Sequence, residues 1–266
     1  MKISTQSTDY KQRYLEQITA LQQRTMERLA SGRRIARASD DSAGLAISRR
    51  LEAAVRGNAQ GERNLADGRS LVRTADASLQ TSHDTLGRMR ELTIQAQNGT
   101  LSATDRDVIQ QEYDQLAAQL DQTAQSVNFG GRALLDGSLS GSGAVQVTDG
   151  DGTETEVEIQ DAGAAALGVQ GLDVSDPASV AALDAARDQL SSQRAGLGAL
   201  DNTFARQEQQ LSAARVQAEE ARSRIEDVDY AREVAESTKY RILTDLTLAG
   251  QRIADQNRGR LLDLLG

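Results

Sequence analysis

The sequence predicts a mainly α fold, an elongated antiparallel helical bundle or coiled coil formed by the N- and C-terminal arms, with a small insert that contains a β-hairpin. Two observations favour the helices. Apolar residues recur at every seventh position in two long segments, and aromatic residues make up only 3% of the 266 residues, with a single proline. A third observation places the insert, because glycine, serine, aspartate and threonine dominate between residues 130 and 176.

The first helix is predicted from Thr8 to about Ala30. Residues three or four positions apart would share one face of this helix: Tyr14, Ile18, Leu21, Thr25 and Leu29. The stretch Ser-Gly-Arg at residues 31–33 ends this helix. Ser39, Asp40 and Asp41 then offer side-chain acceptors and negative charge, which predicts that they cap the N-terminus of the next helix.

A long second helix is predicted from Ala43 to about Gln97, since no proline interrupts it. Its seam repeats at seven residues: Leu51, Asn58, Leu65, Val72, Leu79, Leu86 and Thr93. A helix of this length cannot bury such a stripe alone, so the sequence demands a partner helix. Asn58 either fixes the register of that pairing or lies where the seam meets water, and the sequence leaves both interpretations open.

Asn98 and Gly99 end the second helix, and Ser102 with Asp105 predicts the start of a shorter one. Its inward stripe is predicted to be Val108, Ile109, Glu112, Leu116, Leu120 and Val127. In the polar segment that follows, alternating runs at 145–147 and 157–159 flank an Asp-Gly-Asp-Gly turn. This pattern predicts a hairpin within a small surface insert.

The helical pattern returns at Pro177 and carries a second seam: Leu183, Leu190, Leu197, Phe204, Leu211, Ala218 and Ile225. The residues that follow each of these seam positions by three are small or mixed. They indicate a narrow seam that pairs with the first long helix. The final segment from Val234 is rich in leucine and isoleucine. Because such a surface is costly to leave in water, it implies a partner.

These patterns divide the chain into five segments. We expect an inner helical domain at 1–42 and 234–266, the two arms of a helical shell domain at 43–137 and 177–233, and a short variable surface insert at 138–176.

Composition argues against catalysis and nucleic-acid binding. The formal net charge is -9, and no run of lysine or arginine is free of acidic neighbours. The chain lacks cysteine, its one histidine is His83, and no phosphate-binding or nucleophile motif occurs. Asp149, Asp151 and Asp161 match a calcium loop only weakly, and a hairpin turn explains the first two. We expect no enzyme activity, cofactor or metal, and neither a secretory signal nor a membrane-spanning segment.

Three stretches carry more specific patterns. Residues 27–44 read ERLASGRRIARASDDSAG, residues 129–137 read FGGRALLDG, and residues 223–233 read SRIEDVDYARE. All three resemble the bacterial flagellin family, which has ERLSSGxRINxAxDDAAG, FNGxxLLDG and SRIEDxDYAxE in the same order. The resemblance covers about residues 1–137 and 180–266. Ala36 and Gly130 depart from it, because each stands where the family usually has asparagine.

The resemblance implies a structural subunit that polymerises helically into the flagellar filament used for swimming. In that family the terminal helices form an inner tube and the long arms form the shell around it. The resemblance also implies export without a cleaved signal peptide and a location outside the cell. The implied partners are further copies of the chain, an export chaperone that binds the C-terminal helix, hook-associated and cap proteins, and an animal Toll-like receptor.

Two other functions stay open at this point. The first six residues, MKISTQ, resemble the start of the hook-filament junction protein more than that of common flagellins, although the junction protein has no good counterpart of the SRIED run. A helical adaptor module that remains a monomer in the cytosol is the second alternative.

The candidate functional residues form three groups. The resemblance implies an innate-receptor patch at Arg88, Leu92 and Glu112. The intramolecular seam is predicted at Leu65, Val72, Leu79, Leu86, Leu190, Leu197, Phe204 and Leu211, and the polymerisation and chaperone segment at Ile242, Leu246, Ile253, Leu261, Leu262 and Leu265.

Overall fold

The computed structural model describes the backbone of residues 2–265, with the side chains of residues 10–257 and of Arg260. The predicted mainly α fold is confirmed. Within the described residues, two short antiparallel hairpins and one 3₁₀ turn at Gly141–Gly143 lie between the third and the fourth of five helices. The elements in chain order are α1 (Lys2–Ser31), α2 (Ser42–Ala96), α3 (Ala103–Ser126), β1 (Asn128–Phe129), β2 (Arg132–Ala133), β3 (Val145–Thr148), β4 (Glu154–Val157), α4 (Pro177–Glu226) and α5 (Tyr230–Leu265).

These elements form two compact units. The terminal unit comprises Met1–Ala53 and Gln217–Gly266, and the central unit comprises Ala54–Val216. Helices α2 and α4 contribute to both units. The inner segments predicted at 1–42 and 234–266 fall inside the terminal unit, which also takes in the adjoining ends of the two long arms.

In the central unit, α2 and α4 pack antiparallel along the predicted seam. The order of their ion pairs shows the direction, because positions that rise along α2 meet positions that fall along α4: Glu62 with Arg215, Arg69 with Glu208, Asp76 with Arg194, and Arg90 with Asp184. All eight residues predicted for the seam are buried in one hydrophobic cluster. The seven-residue spacing therefore falls on buried positions of both helices in this unit.

Asn58 is buried, so the interpretation that it meets water is wrong. It packs instead against the turn between β3 and β4, where Gly150 approaches the α2 backbone. A Cβ at the neighbouring Gly61 would lie only 2.8 Å from the Cα of Gly150, so only glycine allows the turn to come this close.

Helix α3 begins at the predicted cap, where Ser102 and Asp105 form a capping box. The predicted inward stripe is wrong in part, because Val108 and Glu112 are exposed. The residues that α3 buries are Ile109, Tyr113, Ala117, Leu120 and Ala124. Tyr113 turns inward because its hydroxyl donates to the carbonyl oxygen of Val169 at 2.8 Å, and burial raises the pKa of this phenol to about 12.

The insert contains the predicted hairpin, although its second strand begins earlier than residue 157. Val145 pairs with Val157, and the strand β4 ends there. The backbone N–H of Asp149 donates to the carbonyl of Thr153, which closes the turn and fixes this register. The interpretation of 138–176 as a surface insert is too simple, because nine of its apolar residues belong to the same cluster as the seam: Leu139, Val147, Val157, Ile159, Ala162, Ala164, Leu167, Val169 and Val174.

In the terminal unit, α1 packs antiparallel against α5. Met26 lies beside Ser237, and two residues further along α1, Arg28 faces Glu233. Gly32 ends α1 with a positive φ of 71°, which a residue with a side chain rarely adopts. Its carbonyl oxygen accepts from the N–H of Val228 at 3.0 Å, so the loop after α1 is tied to the loop before α5.

Helix α2 starts with a single side-chain cap. Asp41 accepts from the N–H of Gly44 at 2.8 Å, as predicted. Asp40 has a different role, because its carboxylate accepts from the N–H groups of Ala36 and Arg37 and stabilises the preceding loop. The hydrogen bond from the Arg37 backbone is the main reason that the pKa of Asp40 lies below its usual range.

Candidate functional site

Exposed large apolar side chains concentrate in the terminal unit. Among the described residues thirteen such side chains are exposed, and three of them, Ile94, Val108 and Val216, belong to the central unit. The other ten lie in the terminal unit: Tyr10, Tyr14, Met26, Ile47, Tyr230, Val234, Ile242, Leu246, Leu248 and Ile253. The terminal unit is the smaller of the two, so this is an uneven distribution that a partner surface would explain.

Three of these residues form a row on α5, at spacings of four and seven residues. Ile242, Leu246 and Ile253 are 51%, 63% and 59% exposed. At 100° per residue they lie on the opposite side of the helix from Glu233 and Ser237, which are buried near α1. The row therefore remains uncovered after α1 has packed. The side chains of Leu261, Leu262 and Leu265, predicted for the same segment, lie outside the described residues.

Helix α1 adds a second group of exposed apolar residues. Ile18 and Thr25 of its predicted pattern are buried, whereas Tyr14 is exposed together with Tyr10, one turn earlier. The N-terminal turns of α1 thus present two tyrosine rings. These rings provide apolar area at a low cost in side-chain entropy, which is typical of contact surfaces between proteins.

A buried carboxylate joins the loops of the terminal unit. Glu226, at the end of α4, forms an ion pair with Arg33 at 3.0 Å and accepts a short hydrogen bond from the hydroxyl of Ser48. The backbone N–H of Arg34 donates to the backbone carbonyl oxygen of Glu226 at 2.6 Å. No local pattern in the sequence predicts this network. Its residues fall within or next to the stretches 27–44 and 223–233. The specific patterns of these two stretches are the sequence signal that could have indicated the network.

The three residues of the predicted receptor patch do not share one surface. Leu92 is 1% exposed and belongs to the hydrophobic core, so its inclusion in a surface patch is wrong. Helix α3 is the reason, since it packs on a second side of α2 and buries positions outside the two-helix seam. Arg88 and Glu112 are exposed and paired at 2.8 Å. The hydrogen bond that Arg88 donates to Glu112 is the main cause of the raised pKa of Arg88.

Charged pairs lie beside the seam in the central unit. Asp201 accepts from Arg69 and Arg73 at 3.1 and 3.2 Å. Burial raises the pKa of Asp201, but the hydrogen bonds and charges of the two arginines outweigh it and lower the pKa overall. Asp184 also has a lowered pKa, chiefly because Arg90 donates to it at 2.6 Å. These pairs lie along the contact of α2 with α4, and because they are partly exposed they add little to its stability.

The residues weighed for chemistry have ordinary structural positions. His83 is half-buried on α2. Asp149 uses its side chain to accept from the N–H groups of Asp151 and Thr153 at 3.0 and 2.8 Å, which supports the hairpin-turn interpretation. Across the described residues, no group of three or more His, Asp or Glu side chains is arranged to hold a metal ion, and no helix is both long and apolar enough to cross a membrane.

Comparison with known proteins places both arms in one family. The bacterial flagellin N-terminal helical region matches residues 3–140, and the bacterial flagellin C-terminal helical region matches residues 180–265. The chain is 36% identical to a flagellin of Bacillus subtilis in an alignment of 280 positions, which covers 91% of this chain and 92% of that protein. It is 34% identical to a flagellar filament 33 kDa core protein of Treponema phagedenis, over 97% of each chain.

A solved structure agrees with these sequence matches. The crystal structure of a Bacillus cereus flagellin superimposes with a TM-score of 0.50 at 31% identity, covering 56% of this chain and 89% of that one. The two family matches leave out residues 141–179, which contain most of the predicted insert.

Proposed function

This chain belongs to the bacterial flagellin family, and we propose that it is a structural subunit that polymerises helically into the flagellar filament. The observation that carries the proposal is the concentration of exposed apolar side chains in the terminal unit, above all the uncovered row Ile242, Leu246 and Ile253 on α5. A contact between different surfaces of identical subunits generates an open helical polymer when its rotation does not close into a ring.

The two units have different roles in this proposal. The central unit buries its seam within one chain, so each subunit brings it to the filament already folded. The terminal unit has apolar faces that only a neighbouring copy covers. The segments 1–42 and 234–266 form the inner domain of the filament, the arms 43–137 and 177–233 form the shell, and 138–176 lies on its outer side.

The exposed α5 row also supports a role before assembly. A surface of this kind would promote aggregation in the cell, so we propose that an export chaperone covers Ile242, Leu246 and Ile253 until the subunit leaves. The chain then passes out without a cleaved signal peptide and assembles between hook-associated and cap proteins. The same residues serve the chaperone and the filament in turn.

Relatives named as flagellins and filament core proteins support the filament subunit over the junction protein and over a cytosolic adaptor. The assembly function requires no catalysis, and we propose that the chain has none. For the receptor, we propose a contact centred on the exposed pair Arg88 and Glu112, with Leu92 supporting the helix from inside.

Electron microscopy of the purified chain, with and without residues 234–266, tests this function. We expect the full chain to form filaments when it is added to short filament seeds, and the truncated chain to remain monomeric with its central unit folded. Filaments of normal length from the truncated chain would overturn the proposed assembly surface.

A further inference from the structure

A polar cleft in the terminal unit contains two buried side-chain atoms without hydrogen-bond partners among the described residues. The cleft encloses about 440 Å³ between the end of α1, the loop after α4 and the first turns of α5. Glu233 lines it and is only 6% exposed, and its Oε1 atom has no hydrogen-bond partner among the described residues. The same holds for the Nε atom of Arg28.

The two groups do not satisfy each other. The closest approach between the guanidinium and the carboxylate, from Arg28 Nη1 to Glu233 Oε1, is 3.7 Å, which is too long for a hydrogen bond. Leaving buried charged groups in this state costs stability, so such atoms normally mark the place of a missing partner.

Three other polar residues that line the cleft have hydrogen-bond partners. Arg34 donates to the carbonyl oxygen of Ile225, Asp227 accepts from the hydroxyl of Ser223 at 2.6 Å, and Asp229 accepts from the N–H of Arg232 at 3.2 Å. Among the described buried side-chain atoms of the cleft, those without hydrogen-bond partners are therefore confined to Arg28 and Glu233. They do not reflect a generally loose region.

The chemistry of the deficit specifies its partner. The Nε–H of Arg28 needs an acceptor, and the Oε1 of Glu233 needs a donor. Their charges cancel, so a third charged group would be buried without compensation. A neutral carboxamide provides an acceptor oxygen and a donor nitrogen at once, as the side chain of glutamine or asparagine does.

The position of the cleft indicates where that carboxamide comes from. Tyr230 and Val234, the latter adjacent to Glu233 in sequence, are both exposed on α5 and are among the ten exposed apolar side chains of the terminal unit. We propose that a glutamine or asparagine side chain of a second copy of this chain enters the cleft and bridges Arg28 and Glu233 in the assembled state. This inference rests on the proposed assembly function, and it makes the cleft a specific polar contact within an otherwise apolar interface.

The test replaces both groups with apolar ones of similar size, in the variant Arg28→Met/Glu233→Leu of the full chain. Because the buried charges are unsatisfied in the monomer, their removal leaves the monomer equally stable or makes it more stable. Their hydrogen bonds to the second copy are lost, so the critical concentration for seeded polymerisation rises about tenfold or more.

The matched control is Arg224→Met/Glu220→Leu, which removes an exposed pair in the terminal unit whose nitrogen and oxygen are 3.8 Å apart. We expect it to change neither quantity, since exposed pairs contribute little. A second variant, Glu233→Gln, keeps the shape of the side chain, removes its charge and replaces one acceptor oxygen by an NH₂ donor, and it should also raise the critical concentration.

Three results separate the explanations. A lower thermal midpoint of the Arg28→Met/Glu233→Leu monomer would show that the groups are satisfied within one chain, and would overturn the inference. An unchanged critical concentration would also overturn it and favour a buried water in the cleft. If the unaltered chain itself forms no filaments on seeds, the proposed function fails, which is a distinct outcome.

Discussion

The uncovered row on α5 gives the most quantitative prediction. We consider the triple variant Ile242→Gln, Leu246→Gln and Ile253→Gln. Each native side chain is just over half exposed in the single chain, and full burial of a leucine or isoleucine contributes about 1.5–3 kcal/mol. The part still available for burial is therefore about 0.8–1.7 kcal/mol for each residue, or about 2.5–5 kcal/mol for the row.

This free energy converts directly to assembly. At about 1.4 kcal/mol for each factor of ten, the triple variant should raise the critical concentration of polymerisation by about 60-fold to about 4,000-fold. The assay is sedimentation of seeded filaments over a range of subunit concentrations. Circular dichroism at 222 nm should show an unchanged thermal midpoint, because no residue of the row belongs to the hydrophobic cluster of the central unit.

The chain offers a matched control for this prediction. Ile94→Gln, Val108→Gln and Val216→Gln remove the same number of exposed apolar side chains from the central unit. We expect a much smaller effect on polymerisation. If both triple variants weaken assembly equally, or if the α5 variant assembles normally, the argument from the α5 surface is refuted.

Four further predictions concern stability and recognition. Phe204→Ala empties a fully buried position in the central unit and should cost about 3–5 kcal/mol, lowering the thermal midpoint of its unfolding by about 6–20 °C; a shift under about 2 °C would contradict the seam. Glu226→Ala leaves the buried Ser48 hydroxyl without its acceptor and should cost about 1–3 kcal/mol, measured by urea unfolding of the terminal unit, whereas no change would show that the network is dispensable. Arg88→Asp should reduce Toll-like receptor signalling by the folded monomer, and unchanged signalling in a reporter cell line would exclude the proposed contact. The pKa of Asp201 is lowered in the folded chain, so the ionised carboxylate stabilises the fold fully above its unfolded pKa near 4 and loses this contribution as the pH falls further. The urea midpoint of unfolding should therefore decline below about pH 4. A constant midpoint down to about pH 2.5 would contradict this.

The parts of the fold that could be predicted depend on local periodicity. Leu65, Leu79 and Phe204 were identified because a seven-residue repeat places them on one face, whatever the partner helix is. The end of α1 at Gly32 and the capping box before α3 were predictable for a similar reason, since a few neighbouring residues determine them.

The remaining features depend on contacts between distant parts of the chain. Tyr113 is buried because Val169, far along the sequence, accepts its hydroxyl hydrogen bond, and no local pattern encodes that contact. Leu92 was assigned to a surface because a two-helix seam leaves it outside, whereas the third helix covers it. The insert has too few apolar residues to form a core alone, but small residues such as Ala162 and Ala164 complete the core of the central unit.

The candidate site shows the same division. The α5 row could be predicted from composition, because isoleucine and leucine recur in a helix without a partner in the sequence. The Glu226 network and the cleft at Glu233 could not, because each joins the two ends of the chain. Only the folded terminal unit brings Arg28 from α1 to the first turn of α5.

The central claim is that the α5 surface is open in the single chain and covered in the filament. The chain has no cysteine, so a single introduced thiol reports on its own position. We would measure the rate of maleimide labelling of Leu246→Cys, and of Asp151→Cys in the exposed hairpin turn, before and after assembly. We expect both thiols to react readily with maleimide in the monomer, and only the thiol of Leu246→Cys to become strongly protected in filaments. Equal labelling of Leu246→Cys in monomers and filaments would contradict it.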